Sequence, residues 1–156
     1  MPGRDLTGSE TLDPDYEAPR PPVGLNPLHL LWVLCGGAIG TFARQGAESL
    51  SPSTSQGFGE TVLVINALGC LLIGVLIGAF FRSPTTRVGL RLFLVTGILG
   101  GWTTYGGVTV IFLTLSHDGK IWNGLAVWIM TLVSNIGFAA LGLFAGRRLS
   151  RTEEAS

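Results

Sequence analysis

A glycine-rich interruption of an apolar run constrains this chain more than any other feature. Residues 92–115 form a stretch long enough to cross a membrane, yet its middle reads GILGGWTTYGGVTV, from Gly97 to Val110. Gly100, Gly101, Gly106 and Gly107 enclose Thr103, Thr104 and Tyr105. Each glycine weakens a helix interior by about 1 kcal/mol relative to alanine. A helix interrupted at mid-membrane exposes backbone groups that lipid cannot satisfy. Such backbone is tolerated only where protein buries it or where it lines a wet cavity. Broken membrane helices often hold ion or substrate sites at the break. The glycines equally suit close approach by a neighbouring helix, and the segment by itself leaves both uses open.

The rest of the chain supplies the same solvent. Of its 156 residues, 47% are hydrophobic and only 13% charged, against about a quarter charged in a soluble domain. Apolar runs recur at 28–47, 61–81, 92–115 and 121–145, so the expected fold is an all-α membrane protein of four transmembrane helices, the third broken at mid-membrane. Residues 1–27 hold six of the eight prolines and seven charges. Such a segment buries too little apolar area to offset its ordering entropy, and it reads as a disordered tail. It lacks the basic start and apolar core of a signal peptide. The domain organisation is then a tail at 1–27, a membrane domain at 28–146 and a basic-then-acidic tail at 147–156. Residues 49–60 and 82–91 read as loops, and SHDGK at 116–120 as a tight turn.

Charge sets the orientation. Near the membrane, Arg82, Arg87, Arg91, Arg147, Arg148 and Arg151 fall on one side, against Lys120 and the helix-end Arg44 on the other. An excess of Lys and Arg marks the cytoplasmic face, so both termini are expected there. Each run also carries a Gly-x-x-x-Gly pair, namely Gly36/Gly40, Gly74/Gly78, Gly97/Gly101 and Gly142/Gly146. Small faces in every span predict a compact bundle. Four short helices enclose no pore alone, and size argues for a dimer.

Enzyme chemistry finds no foothold. His29 and His117 have no evident partner, and the sequence contains no HExxH and no phosphate-binding loop. Cys35 and Cys70 sit in apolar runs without metal-ligand spacing and read as small buried hydrophobes. No carboxylate lies in the middle of a span, which argues against a small proton-coupled antiporter. What the spans offer is donors. Asn66 presents an amide inside the second run, Arg44 a cation, and Thr103, Thr104, Tyr105, Thr109, Thr131 and Ser134 hydroxyls. Donors without acids suit an anion. The Ser and Thr hydroxyls also serve as ordinary links between helices, at about 0.6 kcal/mol each. Asn66, isolated among Val, Leu and Ile, needs a partner once buried.

Three motifs carry a family resemblance. GGAIGTFAR in the first run is similar to GGxxGxxxR, NALGCLLIG in the second to NxxGxxxxG, and GILGGWTTYGGV in the third to GxxGGxTTFSTF. In this order and spacing they resemble the CrcB/Fluc family of fluoride ion channels, over nearly all of residues 28–146. The resemblance implies an antiparallel, double-barrelled dimer in the cell membrane that exports fluoride passively. It implies a pore lined by Asn66, Thr104, Tyr105, Val108 and Ser134, with Arg44 in an electrostatic or structural role. It implies a structural Na+ held by the backbone carbonyls of Gly100 and Thr103. Tyr105 and Val108 occupy the positions of the family's two phenylalanines, so one ring is missing, and Gly106-Gly107 replaces Ser-Thr. Met130 and Phe138 flank Ser134 on the fourth-helix track without hydroxyls. The departures, together with the one-sided charge, point to pairing with an oppositely oriented relative. A largely non-conducting partner subunit is the alternative role.

Overall fold

The computed structural model describes residues 26–51, 55–81 and 87–154. The expected tail, apart from its last two residues, and residues 82–86 of the expected 82–91 loop lie outside these. The described chain is helical, in the order α1 (Pro27–Ser49), α2 (Ser55–Ala79), α3 (Val88–Arg91), a π-helical stretch (Leu92–Leu99), α4 (Gly100–Trp102), α5 (Tyr105–His117) and α6 (Ile121–Glu154). Three helical stretches are long and apolar enough to span a membrane: Gly59–Ala79, Val88–His117 and Ile121–Ser150. α1 has comparable length at 23 residues. His29, Arg44 and Gln45 reduce its apolar character.

Helix ends follow local chemistry. Asn26 caps α1, its Oδ1 accepting from the Leu28 N–H at 3.0 Å, and Pro27 occupies the first helical position. Gly119 takes φ 74° in the turn before α6, the left-handed conformation that the SHDGK reading anticipates. Three boundaries differ from the sequence reading. α2 begins at Ser55, inside the expected loop, the third span begins at Val88, inside the expected 82–91 loop, and α6 continues through the arginines to Glu154. Polar residues such as Arg and Glu are good helix formers, so a helix outlasts its apolar run.

The small residues sort into two seams. A Cβ on Gly36 would meet the Phe93 carbonyl oxygen, and one on Gly40 the Ile98 carbonyl oxygen; one on Gly101 would meet the Gly37 carbonyl. A Cβ on Gly74 would meet the Ala139 carbonyl, on Gly78 the Leu143 carbonyl, on Gly142 the Leu71 carbonyl and on Gly146 the Val75 carbonyl. Contact numbers rise together along both partners, so each seam joins parallel helices: α1 with the first half of the third span, and α2 with α6. Four glycine pairs thus make two interfaces at backbone contact. Few apolar side chains are buried by the chain itself, among them Val62, Ile65, Leu99 and Val108. Phe42 and Trp122 are nearly four-fifths exposed, as lipid-facing residues are.

Gly142→Ala places a methyl group against backbone rather than against a flexible side chain. The expected cost is about 1–3 kcal/mol of overpacking, read as a lowered melting temperature in detergent. The same change at Gly137, where an added Cβ meets nothing within 4 Å, is expected to leave melting unlowered or slightly raised, because alanine favours the helix.

Candidate functional site at the helix break

The third span breaks where its sequence predicts. Thr103 (φ −74°, ψ 149°) and Thr104 (φ −147°, ψ 129°) are extended between α4 and α5. The Thr103 N–H still closes onto the Leu99 carbonyl at 3.0 Å, and helical bonding then stops. Just upstream the chain is π-helical over Leu92–Leu99, a wider winding frequent at functional sites. No sequence pattern foreshadows it.

Asn66 holds the break open. Its Oδ1 accepts from the Thr104 N–H at 2.7 Å, and its Nδ2 donates to the Thr104 carbonyl at 2.8 Å. This two-way amide pairing crosses 38 residues of sequence and replaces both helical bonds that Thr104 forgoes. Asn66 is 3% exposed, and so meets the demand that a buried amide find partners. In an unbroken helix the Thr104 N–H would close onto the Gly100 carbonyl. Because Asn66 takes that donor, the Gly100 carbonyl is released. Likewise the Gly107 N–H, the helical donor to the Thr103 carbonyl, is directed to Thr104 Oγ1 at 3.4 Å. The carbonyls of Gly100 and Thr103 are thus among those the break leaves without a helical donor; those of Gly101 and Trp102 lose theirs as well, and Gly101 accepts from Arg44 instead. α5 starts there with its first N–H groups and the positive end of its dipole.

The neighbours brace this geometry. The Trp102 indole N–H donates to the Ile65 carbonyl at 3.0 Å, and Thr103 Oγ1 donates to the Leu99 carbonyl at 3.1 Å. A Cβ on Gly69 would strike the Thr103 side chain, so α2 lies close against the break. Arg44 reaches the same place: its Nε donates to the Gly101 carbonyl at 3.4 Å, and its Nη1 pairs with Glu48 at 2.8 Å. A guanidinium at the carbonyl end of α4 is favourably placed for the helix dipole. Its ion pair with Glu48 compensates the charge locally, so Arg44 ties α1 to the break rather than standing as an open cation.

The remaining sequence candidates divide. Tyr105 projects outward and is 57% exposed, whereas Val108 is 1% exposed, inside the chain's own packing. Ser134 is half-buried and its hydroxyl donates to the Thr131 carbonyl at 3.0 Å. Gly100, Thr103, Thr104, Asn66 and Arg44 are thus brought together at one level, while Val108 packs inside the chain in the first turn of α5 and Ser134 bonds within α6. Trp102 and Glu48 are features that sequence reasoning passed over. The Arg44–Glu48 spacing of four residues is the one signal that was available for either of them. Among the described residues no group of three or more His, Cys, Asp or Glu side chains is placed to hold a metal, so a cation here would rest on backbone oxygen.

Comparison with known proteins agrees with the motifs. Residues 31–143 match the family described as CrcB-like protein, Camphor Resistance (CrcB). A protein of Haemophilus influenzae (strain PittEE), named a fluoride-specific ion channel FluC, is 35% identical over 115 residues, 74% of this chain and 90% of that one. One of Paracoccus denitrificans (strain Pd 1222) with the same name is 35% identical over 119 residues, 76% of this chain and 94% of that one. A third, of Streptomyces coelicolor and named fluoride-specific ion channel FluC 1, is 32% identical over 123 residues, covering 79% and 80% of the two chains.

Proposed function

Because this chain belongs to the CrcB family, we propose that it is a passive fluoride channel subunit that lets the ion leave the cell down its gradient. The observation that carries the reading is the Asn66–Thr104 pairing, which keeps a membrane helix broken at a fixed place. A break held by a buried amide is a built feature, since helix packing alone does not require one. Fluoride is small and strongly hydrated, and it leaves water only where donors replace its shell. The amide of Asn66, the Thr104 hydroxyl, the ring edge of Tyr105 and the start of α5 are donors of that kind.

The finer architecture follows from the same premise. Four spans, α1 included, place both termini in the cytoplasm, and two copies of the fold in opposite orientations bring two breaks face to face. The carbonyls of Gly100 and Thr103 from both subunits would hold a Na+, whose chemistry suits neutral backbone oxygen. The cation would supply fixed positive charge that pins the paired breaks. This chain's own groups do the rest: Asn66 fixes Thr104, Arg44 fixes the end of α4, and Trp102 anchors it to α2.

A second reading has its own observation. Val108 is buried and ringless where the family pattern has phenylalanine, so this chain would serve as a weakly conducting partner whose mate carries the complete pore. Protein purified with whatever subunit accompanies it, reconstituted into liposomes loaded with fluoride, tests both. Efflux that follows the fluoride gradient and ignores an imposed pH gradient is expected. Efflux driven by the pH gradient would replace the channel with an antiporter, and efflux by the complex but not by this chain reconstituted alone would favour the partner role.

A further inference from the structure

The family match covers residues 31–143, and an acidic segment precedes it. Residues 1–25 carry Asp5, Glu10, Asp13, Asp15 and Glu17 against Arg4 and Arg20. Four of those acids fall in the run from Glu10 to Glu17, which holds no basic residue. The opposite balance holds at the end of the bundle where this segment emerges. There Arg82, Arg87, Arg91, Arg147, Arg148 and Arg151 stand against Glu153 and Glu154. Arg87 and Arg147 are exposed, and among the described residues neither they nor Arg91 pairs with a carboxylate.

The two seams bring these arginines to the point where the segment leaves the bundle. A Cβ on Gly89 would lie 3.1 Å from the Trp32 indole nitrogen, and the Trp32 and Phe93 rings meet edge-on at 5.8 Å. α1 runs parallel to this part of the third span, so Asn26, six residues before Trp32, emerges at the level of Arg87. On the other seam a Cβ on Gly78 would lie 3.0 Å from the Arg147 backbone nitrogen, so the end of α2 is level with the arginines of α6. Glu17 lies nine residues before Asn26, a reach of about 30 Å when extended. Packed helices stand about 8–10 Å apart, so that reach covers the whole end of the bundle. α6 has 34 residues, or about 51 Å, against about 40–45 Å for a bilayer with its headgroups. Its last turn therefore clears the headgroups, which favours a polypeptide over lipid as the counter-charge.

We propose that the acidic run from Glu10 to Glu17 docks across this basic face of its own chain, as a tethered counter-charge where an anion approaches the bundle. Complementary charge supplies the attraction, and the tether supplies the local concentration. A segment on a short linker meets its site at about millimolar effective concentration, so individually weak, solvent-exposed charge pairs suffice. Salt screens such pairs. The consequence for the ion rests on the fluoride reading above. The arginines raise the concentration of anions near the face, and the docked acids cancel part of that field. The segment thereby slows fluoride entry at low ionic strength.

The test uses the full chain in phosphatidylcholine vesicles, with Cys35 and Cys70 replaced by alanine and spin labels attached at Thr11→Cys in the run and Leu149→Cys near the end of α6. Label-to-label distances are read by pulsed electron resonance at about 0.01 M and about 1 M salt, where screening lengths are about 30 Å and about 3 Å. A short distance at low salt that lengthens at high salt is expected. Glu10→Gln, Asp13→Asn, Asp15→Asn and Glu17→Gln together are expected to give the long distance at both. These changes lie outside the membrane domain, and acids weigh little in orientation. A distance indifferent to salt, or to the four substitutions, overturns the docking. A long distance at low salt in phosphatidylglycerol vesicles also overturns it, and gives the arginines to lipid headgroups. Fluoride efflux reads the consequence. The four substitutions are expected to raise it at least about threefold at low salt and low fluoride, and to leave it unchanged at high salt. Equal efflux at low salt overturns the effect on the ion. A wild-type protein that passes no fluoride overturns the channel reading, while the distances still decide the docking.

Discussion

Asn66→Asp is expected to abolish fluoride flux while the protein still assembles. The substitution is nearly isosteric, and one carboxylate oxygen still accepts from the Thr104 N–H, a bond that stands at 2.7 Å in the native chain. Charge strengthens that bond. The other oxygen replaces Nδ2, which now donates to the Thr104 carbonyl at 2.8 Å, and two acceptors then face each other. More important for the ion, a fixed negative charge stands in a narrow anion path. At 4 Å and an effective dielectric of 20, two like charges repel by about 4 kcal/mol, or roughly a thousandfold in rate. Asn66→Leu loses flux for a different reason. It orphans the Thr104 N–H and carbonyl together, at about 1–3 kcal/mol each, and its loss should track a lower melting temperature. Flux electrodes and melting curves on the two variants separate charge in the pathway from collapse of the break. Wild-type flux in an assembled Asn66→Asp protein would remove Asn66 from the pathway and leave it the clamp alone.

That variant pair matters because sequence and structure each supply half of what is known about Asn66. An amide isolated among Val, Leu and Ile is visible in the sequence as a residue that must find a partner. Which partner it finds is a tertiary fact, a pairing with backbone 38 residues away that no local pattern encodes. The break itself was legible, because four glycines around a Thr-Thr pair undermine a helix through intrinsic propensity. So were the small-residue faces, although their sorting into an α1 seam and an α2–α6 seam depends on how the helices pack. Arg44 illustrates the opposite failing. Read alone it is a cation available to an anion, yet Glu48 one turn later neutralises it at 2.8 Å. The π-helical winding has no sequence signal at all. The boundaries of α2 and α6 moved outward because the apolar period ends before helix propensity does.

The second large effect concerns orientation. A chain expressed alone is expected to place its C-terminus on the cytoplasmic face only, and therefore to require a mate of reversed orientation. An antiparallel homodimer needs one sequence to insert both ways, hence near balance of Lys and Arg across its loops. This chain has six arginines on one side near the membrane, Arg82, Arg87, Arg91, Arg147, Arg148 and Arg151, against Lys120 and Arg44 on the other. Arg44 belongs to α1 itself, bonded to Glu48 and to the Gly101 carbonyl, so Lys120 is the one Lys or Arg in the connecting segments of that side. On the opposite side Arg148 lies 4.5 Å over the Phe144 ring, a cation held at the end of the span where it counts most for insertion. A chain fixed in one topology has no inverted copy of itself to pair with. Single cysteines introduced at the C-terminus, with Cys35 and Cys70 replaced by alanine, and labelled in intact cells with an impermeant thiol reagent, decide the matter. Protection from the reagent until the cells are opened is the expected outcome. Labelling of a comparable fraction from each face would establish dual topology and end the case for a second subunit. Raising the outer charge by Ser116→Arg and Asp118→Arg, while Arg147→Ala and Arg148→Ala lower the inner, should then move the C-terminus to both faces, because the count of Lys and Arg rather than the fold sets the choice.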